Sequence, residues 1–411
     1  MNAKSNRMRI AGLTCALSML GLIFAASVMT VTSSAAEDPY HRIIVGAAQE
    51  PDTLNPFKMV LSMSYTINFL TYDTLTSVEK DLSFGPQLAS SWESSTDGMT
   101  WTFHIVENAV WHDNISVTAH DIEFTYDLIL NNPTEGALWI DYLSGTDADR
   151  VTATDDYTLE IVTDEPKATM LSIMIPILPE HIWGEVPAKD IDKIDPWDRN
   201  YFPDGPIGSG PFMLESWDST LGDIVLLKNP NYFMGEVNVD EVLFKTFGDE
   251  SAMTNALYSG TLDVATWVPA SLWDVTLEKP GIEGQEVSSL SFYELGINCA
   301  TEEWREGFPQ ASDNLETTNL SVRQAIAMAT NKDDIVNRIL EGHASPGVSI
   351  IPKATDYWFY NLSEEERWDY QITAANALLN ESGYGEFDDD GVRMNETNGV
   401  RLDFSLYFRK D

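Results

Sequence analysis

Short apolar runs of two kinds alternate along this chain. One kind has a period of two. Met99, Trp101, Phe103 and Ile105 alternate with Thr100, Thr102 and His104, the pattern of a strand with one buried face. Residues 151–154 and 158–162 read as a hairpin turning at Asp155-Asp156, and residues 42–47 as a buried strand. Further strands are predicted at 224–228, 242–245, 262–265, 292–298 and 402–408. The other kind has helical spacing. Tyr65, Phe69 and Tyr72 share one face of a helix predicted over 64–75, where core packing is the preferred role for the three rings. Ile122, Tyr126 and Ile129 mark a second helix, capped by Thr118, with Asp121 and Glu123 in its first turn where negative charge suits the helix dipole. Residues 250–259 form an amphipathic helix ending at Gly260. Helices are also predicted at 321–329, at 332–340 behind Asn331, and at 364–379 with Ala374, Ala375 and Leu378 inward.

The punctuation between these elements is as informative. Pro206-Ile207-Gly208-Ser209-Gly210-Pro211-Phe212 cannot lie inside a helix or a central strand. No Gly-Lys-Ser/Thr follows, so it reads as a structural turn between two modules rather than a phosphate loop. Glu50-Pro51 and Leu54-Asn55-Pro56 fix an extended loop after the first strand. Asn229-Pro230-Asn231-Tyr232-Phe233-Met234-Gly235 is a turn. His104, His112 and His120 recur every eight residues, but on one strand and a helix start they need not converge, and no metal site is expected of them. Asp388-Asp389-Asp390-Gly391 resembles the start of a calcium loop, yet the twelfth position counted from Glu386 is Thr397 rather than Glu; a turn is expected.

Taken in order, these segments resemble the family 5 extracellular solute-binding proteins, the oligopeptide- and dipeptide-binding type that feeds ABC transporters. The resemblance runs from about Arg42 to Phe408. It is densest where Pro86 to Trp92, Asp97-Gly98, Thr100 to Phe103, Trp111-His112-Asp113 and Thr118 to Phe124 follow one another, and it continues through Pro206 to Phe212, Asn229 to Gly235 and Val322-Arg323-Gln324-Ala325. Asn108-Ala109 and Asn114 stand where glycine is usual in the family. The resemblance implies an α/β fold, periplasmic-binding-protein-like type II (class C), with two lobes around a cleft. The expected domains are residues 37–265, with an inserted subdomain at about 57–200, and residues 266–411. It also implies that family members run on past this end, so the C-terminal part, with a carboxylate for a peptide's amino terminus, is expected to be missing.

Length and charge bound the reading further, and the length suggests two or three domains. A chain of 411 residues exceeds one ordinary core. With 24 Lys+Arg against 65 Asp+Glu, the formal net charge is −41, which disfavours nucleic acid as a partner. The acids are scattered, which fits either adaptation to salt or general solubility. Residues 1–36 read as an export segment: Lys4, Arg7 and Arg9 precede an apolar run, and Ser34-Ala35-Ala36 offers a cleavage site. Cleavage after Ala36 is favoured; an uncleaved anchor is the alternative, and Cys15 sits too early in the run for lipidation. Removing the segment leaves Cys299 alone, so no internal disulfide forms.

The leading functional expectation is an exported monomer on the periplasmic or extracellular face of the membrane. It would capture peptides or similar small solutes for ABC permease subunits, without catalysis, metal or cofactor. A membrane-tethered sensor or surface module is the second reading, and a carboxylate-dependent hydrolase the third, since no ordered catalytic motif is present. The expected ligand contacts lie around the crossing after Gly260 to Asp263. Glu50 and Asn55 come from the first-lobe loop, Trp267 and Trp273 from just after the crossing, and Asn298 from the second lobe. For the tryptophans, packing is the other reading.

Overall fold

The apolar run at residues 42–47 lies near the middle of a seven-stranded sheet. The computed structural model describes residues 9–11, 40–194, 201–202, 204–218, 220–288, 290–300, 315–355 and 358–406. Most of the expected leader, Cys15 included, lies outside these residues, as do residues 195–200 and the end of the expected last strand. The chain divides into compact units of residues 1–288 and 289–411. The first unit therefore runs past Thr266, where the second lobe was expected to start.

In chain order the first unit contains β1 (Arg9–Ala11), β2 (Arg42–Ala47), α1 (Ser62–Thr71), β3 (Thr76–Val78), β4 (Phe84–Pro86), β5 (Ala89–Ser94), β6 (Thr100–Ile105) and α2 (Ala119–Asn131). It continues with β7 (Val151–Asp155), β8 (Thr158–Val162), α3 (Glu180–Trp183), β9 (Phe212–Asp218), β10 (Asp223–Lys228), β11 (Glu241–Thr246), α4 (Glu250–Ser259), β12 (Val264–Ala265), α5 (Ala270–Leu277) and β13 (Ile282–Gly284). The large sheet has the order β13-β1-β12-β2-β11-β10-β9. Its strands from β13 to β11 run parallel, and β10 runs antiparallel to both its neighbours, β11 and β9. β1 belongs to the segment marked for export, and Ile10 pairs with both Val264 and Glu283. β2 lies between two parallel neighbours, Val45 opposite Phe244 and Val264, which is why its sequence is an apolar run rather than an alternation. Asp263 ties the crossing to β2: its carboxylate accepts from the Ile44 amide at 2.9 Å, and its own amide donates to the Ile44 carbonyl at 2.9 Å. Gly260 ends α4 at φ 79°, a left-handed cap that glycine adopts without strain.

A second, antiparallel sheet, β5-β6-β8-β7, forms the inserted subdomain with α2 packed against it. Phe103, Leu159 and Ile161 from the strands meet Ile122, Tyr126 and Ile129 from the helix, all buried, with Trp111 and Trp183 in the same core. The predicted alternation and helical spacing are thus two halves of one apolar layer. The Thr118 cap forms as expected: the Asp121 side chain accepts from the Thr118 amide at 2.9 Å.

The loop Gly208-Ser209-Gly210 rivets this subdomain to the large sheet. A Cβ on Gly208 would lie 1.8 Å from the Thr71 carbonyl oxygen, and one on Gly210 2.7 Å from that of Leu70. Between them, Ser209 Oγ donates to buried Asp73 at 2.8 Å. Asp73 also accepts from Gln87 Nε2 at 2.7 Å and the Tyr232 hydroxyl at 3.1 Å. From the other side His112 Nδ1 accepts from the Gly208 amide, and Nε2 contacts the Gly210 carbonyl, both at 3.1 Å.

The second unit contains α6 (Leu320–Ala329), α7 (Lys332–Arg338), α8 (Ile372–Glu381), β14 (Glu386–Phe387) and β15 (Arg393–Met394). Its apolar cluster is small, Ala325, Met328 and Ala375. A polar knot supplements it: the Glu316 carboxylate accepts from the Tyr384 hydroxyl and from the amides of Asn395 (2.7 Å) and Asn398 (2.9 Å). Three expectations fail here. Residues 292–298 and 402–406 form no strand, because among the described residues no neighbouring strand pairs with them. The helix expected from Glu364 begins only at Ile372. Ser363 and Glu366 close a single turn through bonds of 2.9 Å, and the Gln371 amide then leaves for the Met328 carbonyl. The acidic turn at Asp388 is a hairpin, with Arg401 placed against both Asp388 (2.9 Å) and Asp390 (3.3 Å).

Candidate functional site

In open α/β sheets, ligands sit outside the carboxyl ends of the parallel strands. Here that edge is built by the loops after β2, β11 and β12, together with the tip of the β9-β10 hairpin. Thr246, the last residue of β11, joins the tip by donating to the Gly222 carbonyl from its amide (3.3 Å) and its hydroxyl (3.0 Å). Gly222 has φ 69°, and a Cβ there would lie 3.2 Å from Glu50 Oε1. Glu50 therefore sits on the edge, half-buried, beside Thr246 and Gly222. The loop that follows is stiff. Asp52 accepts from Ser64 Oγ at 2.6 Å and from the Val60 and Leu61 amides. Burial alone would raise the Asp52 carboxyl, but these bonds outweigh it and hold it below its ordinary value.

After β12, Thr266 donates to the Gly46 carbonyl through both its amide (3.2 Å) and its hydroxyl (2.9 Å). Trp267 comes next and keeps 39% of its surface exposed. Glu250, the first residue of α4, lies beside its indole. Burial raises the Glu250 carboxyl, the indole opposes that, and Asp249 adds to it. The edge thus offers a half-exposed indole, two carboxylates and threonine hydroxyls, a set suited to holding a polar solute by stacking and hydrogen bonds.

Of the expected contacts, Glu50 and Trp267 both lie on this edge. Asn55 does not reach a surface. It is 1% exposed, and its amide donates to the Ile191 (2.7 Å) and Ile194 (2.8 Å) carbonyls while its oxygen accepts from the Phe57 amide (2.8 Å). It latches the loop to the subdomain, which is a correction to its expected role. Trp273 packs on the core that holds Leu257 and Leu262, close over Gly284. Asn298 belongs to the second unit, where its side-chain oxygen accepts from the Ala300 amide at 3.0 Å and its carbonyl from the Thr317 hydroxyl at 2.7 Å. Glu250, Thr246 and Thr266 were not singled out from sequence. The signal that marks them is their position at or just after the carboxyl ends of β11 and β12.

Residues 83–410 match the family described as bacterial extracellular solute-binding proteins, family 5 Middle. The chain belongs to this family. Among curated relatives of this family 5 chain, the oligopeptide-binding protein AppA of Bacillus subtilis is 25% identical over 369 residues, covering 89% of this chain and 63% of AppA. Protein XP55 of Streptomyces lividans is 27% identical over 369 residues, covering 89% and 61%. The chain therefore spans less than two thirds of the length of these relatives. Among solved structures, NikZ of Campylobacter jejuni in complex with Ni(L-His) superposes with a TM-score of 0.69 at 20% identity, covering 89% of this chain and 67% of NikZ. AppA in complex with a nonapeptide gives 0.67 at 23% identity, covering 89% and 68%. These likenesses establish the periplasmic-binding-protein type of α/β fold. Among the described residues, no helix is long and apolar enough to cross a membrane.

Proposed function

We propose that this protein is the extracytoplasmic substrate-binding component of an ABC transporter, capturing peptides or similar small solutes and delivering them to a membrane permease. The observation that carries this reading is the carboxyl edge of the parallel strands, where Glu50, Trp267 and Glu250 come from three neighbouring strand ends. The relative AppA is named for oligopeptide binding and was solved with a nonapeptide, which supports peptides as the first class to test. Aromatic surface beside polar groups fits ligands of varied side chains, because a ring offers large contact area at small entropic cost. Capture without turnover is part of the proposal, so a bound peptide should be recovered unchanged. Equilibrium dialysis against a tryptic digest of casein, followed by mass spectrometry of the retained peptides, tests both points. Retention of none, or recovery only of cleaved products, would defeat the reading.

Export to the outer face of the membrane completes the proposal, with a mature chain beginning at Glu37. The alternative is a chain that keeps its N-terminal segment as a tether. Intact-mass measurement of the exported protein decides between them.

A further inference from the structure

We infer that the carboxyl edge of the large sheet selects solutes that carry a protonated amine or a guanidinium, received by the Glu50 carboxylate and the Thr246 hydroxyl oxygen. The inference rests on the reading of that edge as the ligand site. Glu50 and the two edge threonines present acceptors. A threonine hydroxyl has one proton. Thr246 commits its proton to the Gly222 carbonyl (3.0 Å) and Thr266 commits its own to the Gly46 carbonyl (2.9 Å), so each has only lone pairs left to offer. The Glu50 carboxylate is half-buried and, among the described residues, receives no hydrogen bond and no ion pair. Thr246 Oγ1 and Glu50 Oε1 lie 3.0 Å and 3.2 Å from the place a Gly222 Cβ would take, so they flank one spot that only glycine leaves open. The cations of the neighbouring strands are already taken. Lys245 donates to both oxygens of Asp223 (3.0 and 3.2 Å), while Arg42 and Lys228 pair with Glu241 and Asp240 at the opposite end of the sheet. An unpaired, partly desolvated carboxylate gains most from a donor that is itself charged. An amine or guanidinium supplies that charge and several N–H groups; a carboxylate or an apolar group does not. The formal net charge of −41 draws cations toward the whole protein, and Glu50 gives that attraction a place.

In a peptide the cation is either the amino terminus or a basic side chain, and four synthetic pentapeptides separate these sources. They are Ala-Ala-Lys-Ala-Ala and Ala-Ala-Gln-Ala-Ala, each with a free or an acetylated amino terminus. Calorimetric titration against the full chain reads the affinities, and thermal melting checks the fold of each variant. The acetylated glutamine peptide carries no cation and should bind at least about tenfold more weakly than the tightest of the other three. Affinity restored by lysine assigns a side chain, and affinity restored by the free terminus assigns the terminus. Glu50→Gln should shrink this gap to about twofold or less, whereas Glu50→Asp keeps the charge and should keep most of the gap. Glu93→Gln, which removes one exposed charge from β5 outside the edge, should leave the gap as in the parent. The inference is overturned if the acetylated glutamine peptide binds as tightly as the others. It is also overturned if the gap survives Glu50→Gln, which would assign the preference to the overall charge. Binding of none of the four would defeat peptide capture itself, and the role assigned to Glu50 with it.

Discussion

The two compact units hold themselves together by different means. The first buries three apolar clusters around two sheets, with bulky side chains such as Trp111, Trp183, Phe103 and Phe212 almost fully covered. The second buries little. Tyr293 is 97% exposed, Leu406 72% and Trp358 71%, and its order depends on the polar knot around Glu316. Apolar burial is non-directional and sums over many residues, whereas a knot of hydrogen bonds is lost when one partner goes. The first unit should therefore fail by steric intrusion or by mischarging of its rivet, and the second by loss of single polar partners.

The largest effect should come from Gly208→Ala. Its Cβ would intrude on the Thr71 carbonyl, which is backbone and cannot swing aside, and the cost should be about 4 kcal/mol or more. Chemical denaturation of the first unit measures this, and a loss below about 1 kcal/mol would show that the loop yields.

Next in size are two opposed titrations on that loop. Burial pushes the Asp73 carboxyl up to about 6 from 3.8, against the lowering effect of its bonds to Ser209, Gln87 and Tyr232. Desolvation pushes the His112 imidazole down to about 4 from 6.5, opposed by its bond to Gly210 and by Asp113. The folded state thus carries a cost above pH 6 from a charged, buried Asp73, and this cost fades as pH falls toward 3.8. His112 acts the other way: its contribution is complete above pH 6.5 and is lost as pH falls toward 4. The windows overlap, so the parent protein should melt at a nearly constant temperature between them. Asp73→Asn should stabilise the first unit by about 1–3 kcal/mol at neutral pH and leave His112 unopposed. Its melting temperature should then fall as pH is lowered from 7 to 4.5. A parallel pH profile for parent and variant would break the pairing.

In the second unit, burial raises the Glu316 carboxyl, but bonds from Tyr384, Asn398 and Asn395 outweigh it and hold the carboxyl below its ordinary value. The knot's contribution is present at neutral pH and is lost as pH falls through that lowered value. Glu316→Gln should cost the second unit about 1–3 kcal/mol, read by hydrogen exchange over residues 315–330 and 384–400, and leave the first unit's exchange unchanged. Exchange rising equally in both units would contradict a polar hold confined to the second unit.

The smallest effect is expected from salt, and it should be shared by both units. A formal net charge of −41 repels itself, and the Debye length shortens from ~10 Å at 0.1 M to ~3 Å at 1 M. Melting temperature should rise by a few degrees over that range, and a flat curve would show that the scattered acids are already well hydrated.

The first unit was largely legible in the sequence, since its signals are local. Thr118 with Asp121, Gly260 after its helix, and the alternation at 99–105 each specify an element from a few neighbouring residues. The strands expected at 292–298 and 402–408 were not decided locally, because a strand depends on a partner distant in sequence. Among the expected contacts, the strand-end positions of Trp267 and Glu50 followed from the order of elements. Asn55 could not be judged, because whether an amide faces solvent or the Ile191 carbonyl is settled by packing from more than a hundred residues away. Glu250 was hidden by ordinariness: an acid in a first helical turn is common, and only the sheet order puts it beside Trp267.

The rivet loop has a consequence for how this lineage can vary. Most core positions drift, since one aliphatic side chain can replace another at modest cost. At Gly208 and Gly210 the chain lies against another stretch of main chain, and no alternative among the coded amino acids is smaller. Saturation mutagenesis across the first unit should show these two codons as nearly closed to change while their neighbours accept substitutions, which would make the motif a lasting landmark long after overall identity has decayed.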